Sequence, residues 1–183
     1  MPHIHTNPGE HDHTASAYII RTDSSDGEFR IMLHRHKKLG VYLQFGGHIE
    51  VNETPWQAMK HELLEETGYV LDDLNVLQPI GTLTKLTNAV AHPTPICHNT
   101  HAFDDSASHF HTDLGYLLVA DHEPHNQLAE GESEDIIMLT EAEILDLPEE
   151  EVFSNVKEIV LFCFSAMADD SIWEQVPTTR FDS

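Results

Sequence analysis

Hydrophobic and polar positions change period several times along the chain, and each change marks an element. Residues 15–20 are apolar and β-prone, which predicts a first strand, and the polar cluster at 23–27 predicts the turn after it. Phe29, Ile31 and Leu33 then alternate with Arg30, Met32 and His34, the period-two pattern of a strand with one buried face. Residues 42–45 predict a short strand that runs into Gly46 and Gly47. Residues 1–13, polar and rich in histidine, read as a flexible leader.

The period then becomes that of a helix. Thr54 is a cap residue, Pro55 suits the first helical position, and Gln57 completes a capping box three residues after the cap. Trp56, Met59 and Leu63 fall on one face, and Gly68 is the expected C-terminal stop. Residues 75–84 predict a strand, and the polar stretch 86–112 predicts a long loop with a short strand near 96–103. Residues 114–120 are apolar almost without interruption, as in a central strand covered on both faces.

After a loop at 121–133, residues 136–139 predict a strand and 140–147 a short helix, with Thr140 and Glu143 as its capping box. Asn155 is expected to cap the last helix, in which Val156, Ile159, Val160, Cys163 and Met167 recur at helical spacing. Residues 173–183 read as a tail. This order of elements implies one α/β domain over residues 1–183, a mixed sheet with helices packed on its faces.

Charge narrows the partners. The 183 residues carry 32 Asp and Glu against nine Lys and Arg, a formal net charge of −23. Such a surface repels nucleic-acid phosphates and anionic lipid headgroups, so neither a nucleic-acid polymer nor a membrane is expected as partner. Arg30, Arg35, Lys37 and Lys38 lie close together, while residues 86–156 contain no Lys or Arg. That local cationic patch suits a small anion. The two cysteines, Cys97 and Cys163, have no metal-type spacing, and residues 1–17 show no basic-then-apolar signal pattern. A reducing, cytoplasmic setting is expected.

The chemistry concentrates in the predicted helix. Glu62, Glu65 and Glu66 are spaced i, i+3 and i+4, which puts three carboxylates on one face within an arc of about 100°. Like charges so close repel, by a few tenths of a kcal/mol or more per pair. A solvated acidic face is one explanation; a bound divalent cation with oxygen ligands, Mg²⁺ or Mn²⁺, is the other. Gly46 and Gly47, just upstream, let backbone approach a ligand closely.

These residues fall in a known register: Gly47, five residues, Glu53, seven residues, then His61-Glu62-Leu63-Leu64-Glu65-Glu66-Thr67-Gly68-Tyr69. The segment closely resembles the Nudix box, with His61 where the family carries arginine. The resemblance implies a Nudix-like α/β/α sandwich, a mixed β-sheet between helices. It also implies Mg²⁺- or Mn²⁺-dependent hydrolysis of a diphosphate linkage in a small nucleotide-like molecule. Glu65 and Glu66 are then expected to hold the metal with the main-chain carbonyl of Gly46, and Glu62 to be a further ligand or the general base. Glu53 resembles the loop glutamate that steadies the helix, with Glu50 as an outer partner.

Departures from the pattern matter. Imidazole reaches less far than guanidinium and is charged only part of the time near neutral pH. His61 therefore keeps open a second reading, a non-catalytic Nudix-like module that senses a nucleotide. Phe45 stands where the family often has proline. A likeness to isopentenyl diphosphate isomerase, which shares the fold, fails for want of a cysteine near Gly46.

Arg35, His36, Lys38, Gly47 and His48 are the expected substrate contacts, and Asp113 and Glu132 are candidates for an added carboxylate. The histidine pairs His3/His5, His11/His13, His34/His36, His98/His101 and His109/His111 allow a third reading, metal buffering. Nothing in the sequence links the pairs, so they read mostly as surface residues. A homodimer is compatible with all three readings.

Overall fold

Strand β1, Glu10–Arg21, runs through the centre of the molecule and carries the rest of the sheet. The computed structural model describes residues 7–103 and 108–181. Next to β1 on one side lies β2, Arg30–Arg35, antiparallel to it, with Ile20 opposite Ile31. On the other side β7, His109–Ala120, runs parallel to β1 in unbroken register from Glu10↔His109 to Arg21↔Ala120. Outward from β7 come β5, Asn75–Pro79, and β9, Trp173–Pro177. At the other edge β3, Tyr42–Leu43, pairs with β2, as does β8, Ile136–Leu139. Two further strands complete the sheet where β1 and β7 begin: β4, Phe45–His48, pairs with β1, and β6, Cys97–Ala102, pairs with β7.

Helices cover both faces, as the α/β/α expectation required. Helix α1, Pro55–Thr67, lays Trp56, Met59 and Leu63 on one face, against Ala15, Ala17, Phe45 and Tyr116. Met59 and Leu63 are fully buried, worth roughly 1.5–3 kcal/mol each over an exposed position. On the opposite face α2, Glu141–Asp146, and α3, Ser154–Met167, bring Ile144, Val156, Val160 and Cys163 against Tyr18, Ile20, Leu33 and Leu117. Both capping boxes form. Thr54 accepts from the Gln57 amide, the Gln57 side chain accepts from the Thr54 amide, and Thr140 and Glu143 do the same for α2.

Several expected boundaries move. Of the expected leader at 1–13, residues 1–6 lie outside the described residues and residues 10–13 belong to β1. Their side chains are polar, so hydrophobic periodicity gave no sign of a strand. Within the polar stretch 86–112, the short strand expected near 96–103 is β6, whereas the start of β7, expected as loop, is strand for the same reason as residues 10–13. The strand expected at 75–84 stops at Pro79, and Gly81 turns the chain away with Leu83 exposed. The strand at 42–45 is two elements that change partner at Gln44, β3 on β2 and β4 on β1. Phe153, not Asn155, holds the cap position of α3, since the Lys157 amide bonds back to the Phe153 carbonyl. The tail at 173–183 begins as β9, and Phe181 is buried near Trp56, with ring centroids 6.3 Å apart. Among the described residues, no helix is long and apolar enough to cross a membrane.

One core histidine makes the fold sensitive to acid. His34 on β2 is 5% exposed, and its ring lies 4.9 Å from that of Phe45. Burial, with His36 nearby, pulls its pKa from 6.5 down to about 4. A depressed imidazole favours folding fully above pH 6.5 and loses that contribution as pH falls towards 4, by about 3 kcal/mol at most. In His34→Phe, urea unfolding at pH 7 and at pH 4.5 should differ less than in the parent protein. An equally steep acid loss in the variant would exclude His34 as its source.

Candidate active site

The capping box and the apolar stripe fix how α1 lies on the sheet, and its remaining face then meets β4 at very short range. Glu62 and Glu66, one turn apart, are 7% and 9% exposed, and Glu65 between them is exposed. The Gly46 amide donates to Glu66 Oε2 at 2.7 Å. A Cβ on Gly47 would stand 2.2 Å from Glu62 Oε1, so that carboxylate occupies the space a side chain would take. Gly46 has φ +127°, and a Cβ there would fall 2.1 Å from the Ala15 carbonyl of β1. Both glycines are therefore required, for different reasons. Gly46 lets β4 lie against β1; Gly47 lets Glu62 reach β4.

His61, in the position of the missing arginine, lies between two carboxylates. Its Nδ1 lies 3.4 Å from Glu53 Oε2 and its Nε2 lies 3.4 Å from Glu62 Oε1. Glu53 also accepts from the Glu50 amide at 2.8 Å, closing the turn between β4 and α1. One imidazole thus links the loop carboxylate to the helix carboxylate.

A later loop joins the site. The C-terminal carbonyls of α1 have no partner within the helix, and loop amides supply it. Ala129 N–H donates to the Glu65 carbonyl at 2.8 Å, and Asn126 donates to the Gly68 carbonyl through its backbone and side chain. That strap brings Glu132 within electrostatic reach of Glu66 and of His36. Lys37 Nζ bonds the Gly131 carbonyl, tying the turn after β2 to the same loop.

Burial and like charge act together on the carboxyls. Burial raises Glu66 to about 8; the Gly46 amide opposes the rise, and Glu62, Glu132 and Glu65 add to it. Burial likewise raises Glu62, against His61 and with Glu65. Burial and then Lys38 lower His36, and Glu132 opposes them. The charges acting on Glu66 all share its sign. A divalent cation among Glu62, Glu65 and Glu66 relieves that repulsion with oxygen donors, so the donor set fits a hard metal ion.

Other expected residues lie elsewhere. Arg35 is on the α3 face of β2, paired with Glu151 at 2.7 Å and 5.0 Å from the centre of the Tyr42 ring. His48 points to that same face, towards Asp12 and His111. Asp113 is also there, accepting from Thr14 and Ser16 at 2.7 and 2.8 Å. Glu132 comes within electrostatic reach of Glu66, and His36, with Lys38 near it, comes within reach of Glu132. A cavity of about 270 Å³ lies further along the loop, lined by Asp12, His13, Ile49, Glu50, Val51, Pro55 and Leu114. The hollow is separate from the carboxylate cluster of α1, where the buried acidic groups converge.

The NUDIX domain family model matches residues 12–159. No curated protein matches the sequence. Among solved structures, a NUDIX family hydrolase from Clostridium perfringens is similar at TM-score 0.69 and 24% identity, covering 85% of this chain and 97% of that one. A C. elegans Ap4A hydrolase is similar at TM-score 0.60 and 16% identity, covering 87% and 100%. The NUDIX domain of Shewanella oneidensis NrtR, solved with ADP ribose, has TM-score 0.60 and 15% identity over 86% and 89%. At these identities the likeness speaks for the fold.

The two glycines separate stability from site geometry. Gly46→Ala meets backbone at positive φ and should cost at least about 3 kcal/mol, a fall in Tm of roughly 6–12 °C. Gly47→Ala meets only a movable carboxylate, so its Tm should stay within a few degrees of the parent. Its Mn²⁺ affinity, read by electron paramagnetic resonance, should fall about tenfold or more as Glu62 is displaced. Equal melting losses in the two variants would contradict this assignment.

Proposed function

The chain belongs to the Nudix family, and from that premise we propose that it is a metal-dependent hydrolase cleaving a diphosphate linkage in a nucleotide-type small molecule. One observation carries the proposal: buried Glu62 and Glu66 converge on Gly46 and Gly47 with exposed Glu65 beside them. Burying like charges together without a compensating cation is unfavourable, so the arrangement is best explained by a metal ion that belongs there.

In this reading Glu65, Glu66, Glu62 and the Gly46 carbonyl would hold Mg²⁺ or Mn²⁺. The ion supplies positive charge at the phosphoryl oxygens and lowers the pKa of a bound water. The Gly46 amide fixes Glu66 in orientation. Glu62 is the candidate general base, and His61 positions it while tying it to Glu53. His36 and Lys38 are the candidate contacts for substrate phosphate on this side, and Gly47 serves them indirectly by letting Glu62 reach β4. Arg35 and His48, on the other face, remain candidates only for more distant parts of a substrate.

Ap4A and ADP ribose, named for two similar structures, support a nucleotide-type substrate class. His61 lying 3.4 Å from both carboxylates favours the hydrolase reading over a silent sensor. The double variant Glu65→Gln/Glu66→Gln keeps an acceptor for the Gly46 amide, so its melting temperature should be preserved. Its Mg²⁺- or Mn²⁺-dependent turnover should fall by roughly 10³-fold or more. The assay is a mass-read panel of nucleoside triphosphates, dinucleoside polyphosphates, ADP-ribose and nucleotide sugars. Parent-like turnover in the variant defeats the proposal, as does binding without hydrolysis by the parent across the panel.

A further inference from the structure

On the sheet face opposite α1, His111 of the pair His109/His111 meets His48 of β4, a relation that no sequence spacing displayed. In the parallel β1–β7 pair Asp12 is opposite His111, and in the antiparallel β1–β4 pair His48 is opposite Thr14, the next same-face position on β1. Three neighbouring strands, β4, β1 and β7, thereby place His48, Asp12 and His111 side by side. We propose that these three residues form a second metal site, for a zinc-type divalent ion, separate from the carboxylates of α1.

Geometry supports the assignment. One nitrogen from each histidine and one Asp12 oxygen all lie within 4.8 Å of one another. Asp12 Oδ2 is 3.6 Å from His48 Nε2 and 3.2 Å from His109 Nε2. Tetrahedral zinc at about 2.0–2.2 Å from its ligands separates ligand atoms by about 3.3 Å, so the observed spacing needs only a modest closing. The His48 and His111 rings meet edge to face, 5.0 Å between centroids at 84°. Rigid strands, not loops, hold the donors, so little ordering is needed on binding.

Burial gives the second support. Asp12 is 1% exposed, and the His48 and His109 imidazoles lie within 3.6 Å of its carboxylate. A divalent ion shared with two imidazoles places positive charge directly on that buried carboxylate. His109, 3.2 Å from Asp12, holds the carboxylate in place, as outer partners of metal ligands commonly do.

The donor type separates the two sites. Two imidazole nitrogens and one carboxylate suit zinc and related transition ions, whereas the all-oxygen set on α1 suits Mg²⁺ or Mn²⁺. Three protein ligands leave a fourth position for water or a ligand atom. Position also suggests a role. His48 ends the strand whose Gly46 amide holds Glu66, so an ion on His48 anchors β4 from behind. The site stands on its own residues and does not depend on the hydrolase reading.

The test uses the untagged full chain, stripped with chelator and titrated with Zn²⁺ under excess Mg²⁺. One equivalent should bind, and Tm should rise by roughly 5–10 °C at zinc a hundredfold above its Kd. His48→Gln and His111→Gln should each weaken zinc binding by about 100-fold while melting like the metal-free parent. Glu65→Gln/Glu66→Gln should bind zinc as the parent does. Co²⁺ in place of Zn²⁺ should give the visible absorption of a four-coordinate nitrogen and oxygen site, lost in His111→Gln. The proposal is overturned if no zinc binds, if binding survives His48→Gln/His111→Gln, or if it disappears with the α1 carboxylates.

Discussion

The close approach of α1 to β4 is the constraint on which the rest of the site depends. A helix packed on a sheet ordinarily stands off by the depth of its side chains. Here the Glu62 carboxylate fills the space where Gly47 would carry a Cβ, and Glu66 takes a hydrogen bond from the Gly46 amide. That contact buries two carboxyls and raises both above their ordinary range. Elsewhere on α1 the apolar stripe from Trp56 to Leu63 stabilises the packing that forces the approach. Burial on one side of the helix thus sustains an unfavourable charge arrangement on the other.

His61 and the 121–133 loop show how that arrangement is held without an arginine. A single imidazole spans Glu53 and Glu62, so the link between the turn after β4 and the helix survives in shorter form. At the far end of α1, loop amides satisfy the Glu65 and Gly68 carbonyls that any helix leaves open. The same strap carries Glu132 towards Glu66. Backbone hydrogen bonding at a helix terminus therefore recruits a carboxylate from more than sixty positions away, and repulsion within the cluster grows as a result.

Legibility in the sequence followed the kind of residue buried. Helix α1 was readable to its caps because Thr54, Pro55, Gln57 and Gly68 act locally, and its carboxylates were readable because one helical turn brings them together. β2, β8 and α2 were readable for similar reasons. By contrast, the first residues of β1 and the start of β7 bury Asp12, Thr14, His109 and Asp113 where hydrophobic periodicity expects apolar side chains. β9 escaped notice because its pairing with β5 joins segments nearly a hundred residues apart. The relation of Asp12 to His48 and His111 exists only in strand register, which no single segment displays.

Those misread strand ends are informative. A buried polar face on a regular strand is unfavourable unless something satisfies it, and proteins keep such departures chiefly where they serve a site. In this molecule the departure lies directly behind β4. One face of that strand presents Gly47 to the α1 carboxylates, and the other presents His48 to Asp12 and His111. A chain of formal charge −23 gains from cations on both faces. Oxygen donors in front and imidazoles behind would select ions of different hardness, so each can bind without displacing the other. β4, four residues long, would then be the common wall of the two proposed ion sites.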